Sequence, residues 1–436
     1  MNSDIQDHNN QTTAGPLQLL RKIVDVKAHE VRALFLGFIY FFLILSSYYV
    51  IRPIRDDFGV AGGVENLPLM FTATLVVMLI ANALFSSLVA RYSRRRFIPI
   101  AYRFLIANLL IFFLLLLVIS KEHQVWLGRV FFVWTSVFNL FVVSVFWAFM
   151  VDVFNMDQGK RLFGFISVGG TLGAIVGAAI TATLVRKVGT LNLLLIAAVL
   201  LELGAQCVRL FSTTSITKQS AESPVGGGVW AGIVHSLRSP YLLGICAYML
   251  LYSMTSTILY FQQVGIAARV FTDRAARTAF FAEIDLIVNI LTILAQLLVT
   301  GRLLKWFGVG ATLAILPALS VFGFISIGIA PALAVLVVFL TLRRAGNFAF
   351  ARPARETLFT VISREDKYKA KNAIDTVVYR TGDQIGAWSD PLFKWLGLGP
   401  LGVSFVAAPL AAVWLFVSLW LGRRQVRMAQ DAPGDV

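Results

Sequence analysis

From Ala33 to Trp420 the chain returns repeatedly to apolar runs of about 20 residues, each long enough to cross a bilayer as a helix. No soluble core needs so many runs of that length, so the expected fold class is all-α and polytopic. Composition agrees. Of 436 residues 58% are hydrophobic and 14% charged, against roughly 45 to 50% and about 25% in soluble domains. Twelve spans are expected, in two six-helix halves. The first six lie near 33–52, 67–90, 97–119, 125–150, 162–185 and 190–212, and the rest near 238–261, 277–301, 309–329, 332–356, 371–389 and 400–421.

Between the halves lies TTSITKQSAESPVGGG, whose Ser, Thr and Gly content reads as a flexible linker. The expected organisation is a cytoplasmic segment 1–32, an N-terminal bundle 33–212, a cytoplasmic linker 213–237, a C-terminal bundle 238–421 and a cytoplasmic tail 422–436. Orientation rests on basic residues in short loops. Arg21, Lys22, Lys27 and Arg32, then Arg91, Arg94, Arg95 and Arg96, then Arg423, Arg424 and Arg427 fall on one side, which should be the cytoplasm. Arg269, Arg274 and Arg277, on the other side, run against this trend.

A formal net charge of +15 could point to nucleic acid, but the basic residues cluster in short loops and no such partner is expected. Cys207 and Cys246 fall inside spans and give no disulfide framework. The first 30 residues are polar, with no cleavable signal, so the first apolar segment should direct insertion. Phosphate-cradling GxxxxGK[ST] and GxGxxG loops are missing, and His8, His29, His123 and His235 share no metal-ligand spacing. An enzyme, a metal and a cofactor are therefore not expected. Gly169, Gly173 and Gly177 recur every fourth residue, a spacing that permits close helix packing in lipid rather than ligand binding.

Charges inside the spans carry the functional reading, since each costs about 2.5 to 3.5 kcal/mol at a helix centre unless a partner or water offsets it. Arg52 and Arg55 end the first span, Glu283 and Asp285 lie in the eighth, Arg343 and Arg344 in the tenth, and Arg380 with Asp383 in the eleventh. Guanidinium stays protonated and matches phosphate or carboxylate with a fork of donors, so an anionic solute is the natural counterpart. Internal pairing is the competing reading. Arg52 could pair with Asp56 four residues on and Arg380 with Asp383 three on, whereas Arg343 and Arg344 have no acid within one turn and Pro53 is expected to break the helix beside Arg52. Glu283 and Asp285 could balance arginines of another span. In SREDKYKAKNAIDTVVYRTGD, Lys367, Lys369 and Lys371 alternate at the mouth of the eleventh span, and the charge continues inward through Asp375 to Arg380. Those lysines serve either as orientation signals or as an anion funnel.

SSLVARYSRRR after the second span and GRLLKWFG after the eighth both resemble a degraded loop signature of the major facilitator superfamily, as expected of a repeated bundle. SREDKYKAKNAIDTVVYRTGD resembles a hallmark of the nucleotide transporter family, the ATP/ADP translocases of plastids and intracellular bacteria. SYYVIRPIRDDFGV and FWAFMVDVFNMDQGKRLFG are similar to two further segments of that family, in the same order. The resemblance implies a major-facilitator-like bundle of twelve transmembrane helices, in two six-helix halves, that exchanges anionic nucleotides by alternating access. Matched residue by residue, it implies substrate binding by Arg52, Arg55, Lys160, Arg161, Lys367, Lys369 and Lys371, with Asp56 and Asp375 as supporting charges. Arg55, Gln158, Arg380 and Asp383 depart from the family pattern and mark a divergent bacterial branch. The expectation is a monomeric inner-membrane secondary transporter for a phosphorylated or nucleotide-like anion. A receptor or assembly factor that keeps the fold without transport is the alternative.

Overall fold

The computed structural model describes residues 26–91, 94–211, 239–362, 370–371 and 373–431. Among these it contains helices and no strand. The helices are α1 (Val31–Ala61), α2 (Leu67–Arg91), α3 (Arg94–Val118), α4 (Lys121–Val153) and α5 (Met156–Leu210), then α6 (Pro240–Val270), α7 (Arg274–Ala295), α8 (Gly301–Ile329), α9 (Leu333–Gly346), α10 (Arg352–Leu358), α11 (Tyr379–Trp395) and α12 (Pro400–Asp431).

Nine helical stretches among the described residues are long and apolar enough to cross a membrane. Two of them, Arg161–Leu210 and Arg274–Ile329, hold 50 and 56 residues. At 1.5 Å per residue each exceeds twice the roughly 30 Å hydrocarbon thickness. Each is also interrupted by one left-handed glycine, Gly189 at φ 81° and Gly308 at φ 73°, a conformation that the missing Cβ permits. Two such interruptions, with the 17-residue α11, are consistent with the twelve expected crossings. The linker 213–237 lies outside the described residues, and α12 carries Arg423, Arg424 and Arg427 on as helix.

α1 is the hub of the N-terminal half and packs most extensively on α5. The glycine ladder of α5 allows this: a Cβ at Gly169, Gly173 or Gly177 would stand 2.5, 2.2 or 2.3 Å from the carbonyl oxygens of Phe38, Phe42 and Ser46. Ser46 and Ser47 donate across the seam to the carbonyls of Gly173 and Ala197, so the close backbones are also hydrogen-bonded. α1 continues through Pro53 instead of ending there, contrary to the expectation, and Arg52 and Arg55 stay on one continuous helix. π-helical turns at Gln296–Thr300, Asn347–Ala351 and Ile374–Val378 interrupt the second half. Such wide turns often mark functional sites. The halves meet where α1 and α5 contact α7 and where α2 contacts α11.

Candidate functional site

α1, α2, α4, α6, α9, α10 and α11 surround a cavity of 590 Å³. Among the described residues, six arginines, Arg52, Arg55, Arg343, Arg344, Arg352 and Arg380, line it together with two carboxylates, Asp56 and Asp383. Tyr48, Tyr49, Tyr252, Tyr260 and Tyr379 supply aromatic walls. A second cavity of 380 Å³ adjoins it through Tyr252, Asn347, Arg352, Tyr379 and Arg380 and extends to Arg355 and Asp375. The first span and the tenth and eleventh thus contribute to one space, as do both halves of the chain.

Partners of these arginines come mostly from other helices. Arg52 of α1 reaches Asp285 of α7 at 2.9 Å, and Arg344 of α9 reaches the same Oδ1 at 2.6 Å. Asp285 is buried, and its other oxygen has no hydrogen-bond partner among the described residues. Arg52 therefore does not pair with Asp56, its neighbour one turn on. Asp56 instead takes Arg55 at 3.2 Å and the Tyr260 hydroxyl at 3.0 Å. Arg380 and Asp383 do sit side by side, but at 3.4 Å. Counting Asp285 with the two lining carboxylates leaves a formal excess of three positive charges.

Arg343 is the most deeply buried of the six, 2% exposed. Its guanidinium donates to Ser320 Oγ (3.0 Å), Ser256 Oγ (2.9 Å), Thr255 Oγ1 (2.8 Å) and the Tyr252 carbonyl (3.4 Å). Neutral oxygens position the group without cancelling its charge, and no carboxylate among the described residues pairs with it. A low-dielectric site magnifies such a charge.

A further ion-pair cluster lies at the C-terminal end of α1. Asp57, with no exposure, bridges Arg274 at 2.7 Å and Arg277 at 2.8 Å, tying α1 of one half to α7 of the other. Arg274 also lies 4.0 Å over the Phe58 ring, and Arg129 donates twice to the Gly62 carbonyl nearby. The sequence reading missed this latch. Its signal was present as the arginines that defied the loop-charge trend.

Other expected site residues lie apart from the main cavity. Arg161 pairs with buried Glu30 at 3.1 Å at the start of α1, and Gln158 donates to the same carboxylate, so this motif fastens helix ends. Asp375 pairs with Arg355 at 3.3 Å, both lining the second cavity, whereas Lys371 pairs with Glu356 and lines neither cavity. Glu283 is exposed on α7 and absent from both cavity linings, so it does not share the role of Asp285. Lys367 and Lys369 lie outside the described residues, as does the Lys160 side chain. Arg352, Arg355, Tyr260 and Tyr379 join the cavities without having been expected.

No family model matches the chain. It is 25% identical over 225 residues to ADP,ATP carrier protein 2 of Chlamydia pneumoniae, covering 46% of this chain and 42% of that one. It is 23% identical over 364 residues to ADP,ATP carrier protein 2 of Chlamydia trachomatis serovar D, covering 69% and 66%. The alignments thus span under half of one relative and just under two thirds of the other. Among solved structures, a bacterial homologue of the iron transporter ferroportin in an inward-facing state superposes with a TM-score of 0.65 at 10% identity, covering 91% of this chain and all of that one. The human organic anion transporter MFSD10 gives 0.57 at 15% identity, covering 90% and 100%. These relatives and neighbours are transporters and not enzymes. The chain is thus a multi-pass helical membrane protein with the fold of major-facilitator-type transporters, and it is distantly similar in sequence to ADP,ATP carriers.

Proposed function

We propose that this protein is a secondary transporter that moves a phosphorylated, nucleotide-sized anion across the inner membrane by alternating access, with ATP/ADP-type exchange the first activity to test. One observation carries the reading: among the described residues a cavity holds six arginines against two lining aspartates, with buried Asp285 the third carboxylate in reach. Such an excess is costly in a membrane unless an anion completes it. Its 590 Å³, extended by the adjoining 380 Å³, suits a small-molecule site, commonly about 300 to 1,000 Å³. Arginines match phosphate oxygens, and the tyrosine walls offer faces for a planar ring.

In this reading both termini are cytoplasmic, the Asp57 latch seals the outer side, and the second cavity leads inward. The chain works as a monomer whose two six-helix halves, 33–212 and 238–421, rock about the bound anion. Lys367, Lys369 and Lys371 then stand at the inner mouth, where exposed charge steers anions inward.

Purified protein in proteoliposomes loaded with ADP should take up labelled ATP, and more slowly without ADP inside. A parallel binding screen should rank nucleotides above phosphorylated sugars and dicarboxylates. Absence of flux for every anion, in protein that remains folded, would favour a receptor retaining the fold.

A further inference from the structure

Asp383 departs from the resembled family's pattern and sits in a cluster that is one hydrogen short. Its Oδ1 lies 2.6 Å from Ser253 Oγ and 3.1 Å from Thr257 Oγ1, both on α6. Ser253 Oγ also lies 2.8 Å from the Tyr379 carbonyl. A serine hydroxyl has one proton to donate, yet both of its contacts have the length of a made O–H···O bond. With Asp383 ionised, Ser253 can satisfy the carboxylate or the carbonyl, not both. A proton on Oδ1 resolves the cluster: Asp383 donates to Ser253 Oγ, Ser253 donates to Tyr379 O, and Thr257 donates to the remaining lone pair of Oδ1.

Of the surrounding charges, Arg380 pairs with an ionised Asp383, and loosely. On its own helix, Arg380 Nη1 stands 3.4 Å from Oδ2, beyond the roughly 2.7 to 2.9 Å of a charge-assisted bond. Arg380 also points a second nitrogen at Met78 Sδ of α2, 3.2 Å away. Tyr379 of α11 and Arg55 of α1 also face Asp383, Arg55 being engaged with Asp56, while Tyr252 and Tyr260 of α6 line the same cavity and the Tyr260 hydroxyl is held by Asp56. From α9 and α10, Arg343 and Arg352 border the same cavity, and from α2 Met78 and Thr72 present no titrating group. Asp383 is 7% exposed and lines the cavity, so a proton can reach it from the solute's own path.

We infer that Asp383 is a proton-binding site that works with Arg380: when protonated it leaves Arg380 uncompensated toward the cavity, so that a proton and an anion bind together. Resting on the anion-transport reading, this makes transport proton-coupled. Reciprocity follows, because a proton that strengthens anion binding must be held more tightly once the anion is bound.

Infrared difference spectroscopy of the protein in lipid nanodiscs tests this without its natural solute. A protonated-carboxyl band should disappear as pH is raised, be missing in Asp383→Asn and return with a displaced midpoint in Asp383→Glu. Adding inorganic pyrophosphate should raise the wild-type midpoint by about one pH unit, a tenfold gain in proton affinity. A band that persists in Asp383→Asn, or a midpoint that pyrophosphate does not move, overturns the inference. Asp383→Glu keeps the question answerable if the Asn variant does not fold. ATP flux decides the solute separately: a titrating, pyrophosphate-sensitive band in protein that ignores ATP removes the nucleotide and supports the proton site.

Discussion

Asp285 gives one carboxylate oxygen to two arginines and leaves the other without a partner, an incomplete pairing that an anion could replace. Removing it should therefore help binding and harm the fold. In Asp285→Asn, ATP should bind about tenfold tighter, equal to about 1.4 kcal/mol, while the melting temperature falls because Arg52 and Arg344 lose their counter-charge. Arg343→Gln should act oppositely, weakening ATP binding about tenfold or more, with milder loss of stability since Gln can retain some of the neutral hydroxyl contacts. Calorimetric titration and melting curves on the same preparations separate these effects. Equal affinity in wild type and Arg343→Gln would make Arg343 a structural tether. The arginines were legible in the sequence because charge inside an apolar run is conspicuous; their partners were not. Arg52 had an acid four residues away, yet it pairs with one 233 positions on, and no helical spacing rule reaches that far.

At the scale of helices, the most demanding contact is the glycine ladder of α5 against the α1 backbone. Gly173→Ala places a methyl group 2.2 Å from the Phe42 carbonyl oxygen, where neither backbone can yield cheaply. Its expected cost is about 1 to 3 kcal/mol or more. Gly164→Ala on the same helix meets nothing within 4 Å and should be neutral or stabilising by up to about 1 kcal/mol, the helix-propensity gain. Thermal melting in one detergent compares the two directly, and equal effects would mean that the seam is looser than described. Helices and their packing stripe were readable because apolar length and small-residue spacing are local properties. The π-turns at 347–351 and 374–378 were not, since a widened turn depends on what the neighbouring helices leave room for.

For the whole molecule, the controlling feature is the bridge from Asp57 to Arg274 and Arg277, which in the proposed reading shuts the end opposite the cavity that Arg355 and Asp375 line. Because both partners lie in different halves, Asp57→Asn should shift the protein toward the alternative orientation. Spin labels at Glu65 and Thr272, exposed on the two sides of this closure, should then show a longer distance component in pulsed resonance spectra. An unchanged distribution would assign the cluster to fold stability alone. The latch also has a kinetic meaning for the cell. If it holds most molecules with the cavity toward one compartment, a solute arriving from the other compartment meets a binding-competent form only in the minority. Its apparent dissociation constant from that side is then the intrinsic one divided by that minority fraction. One set of arginines would thus present two sensitivities, keen on one side of the membrane and dull on the other, and the strength of a single buried aspartate's grip would set the ratio between them.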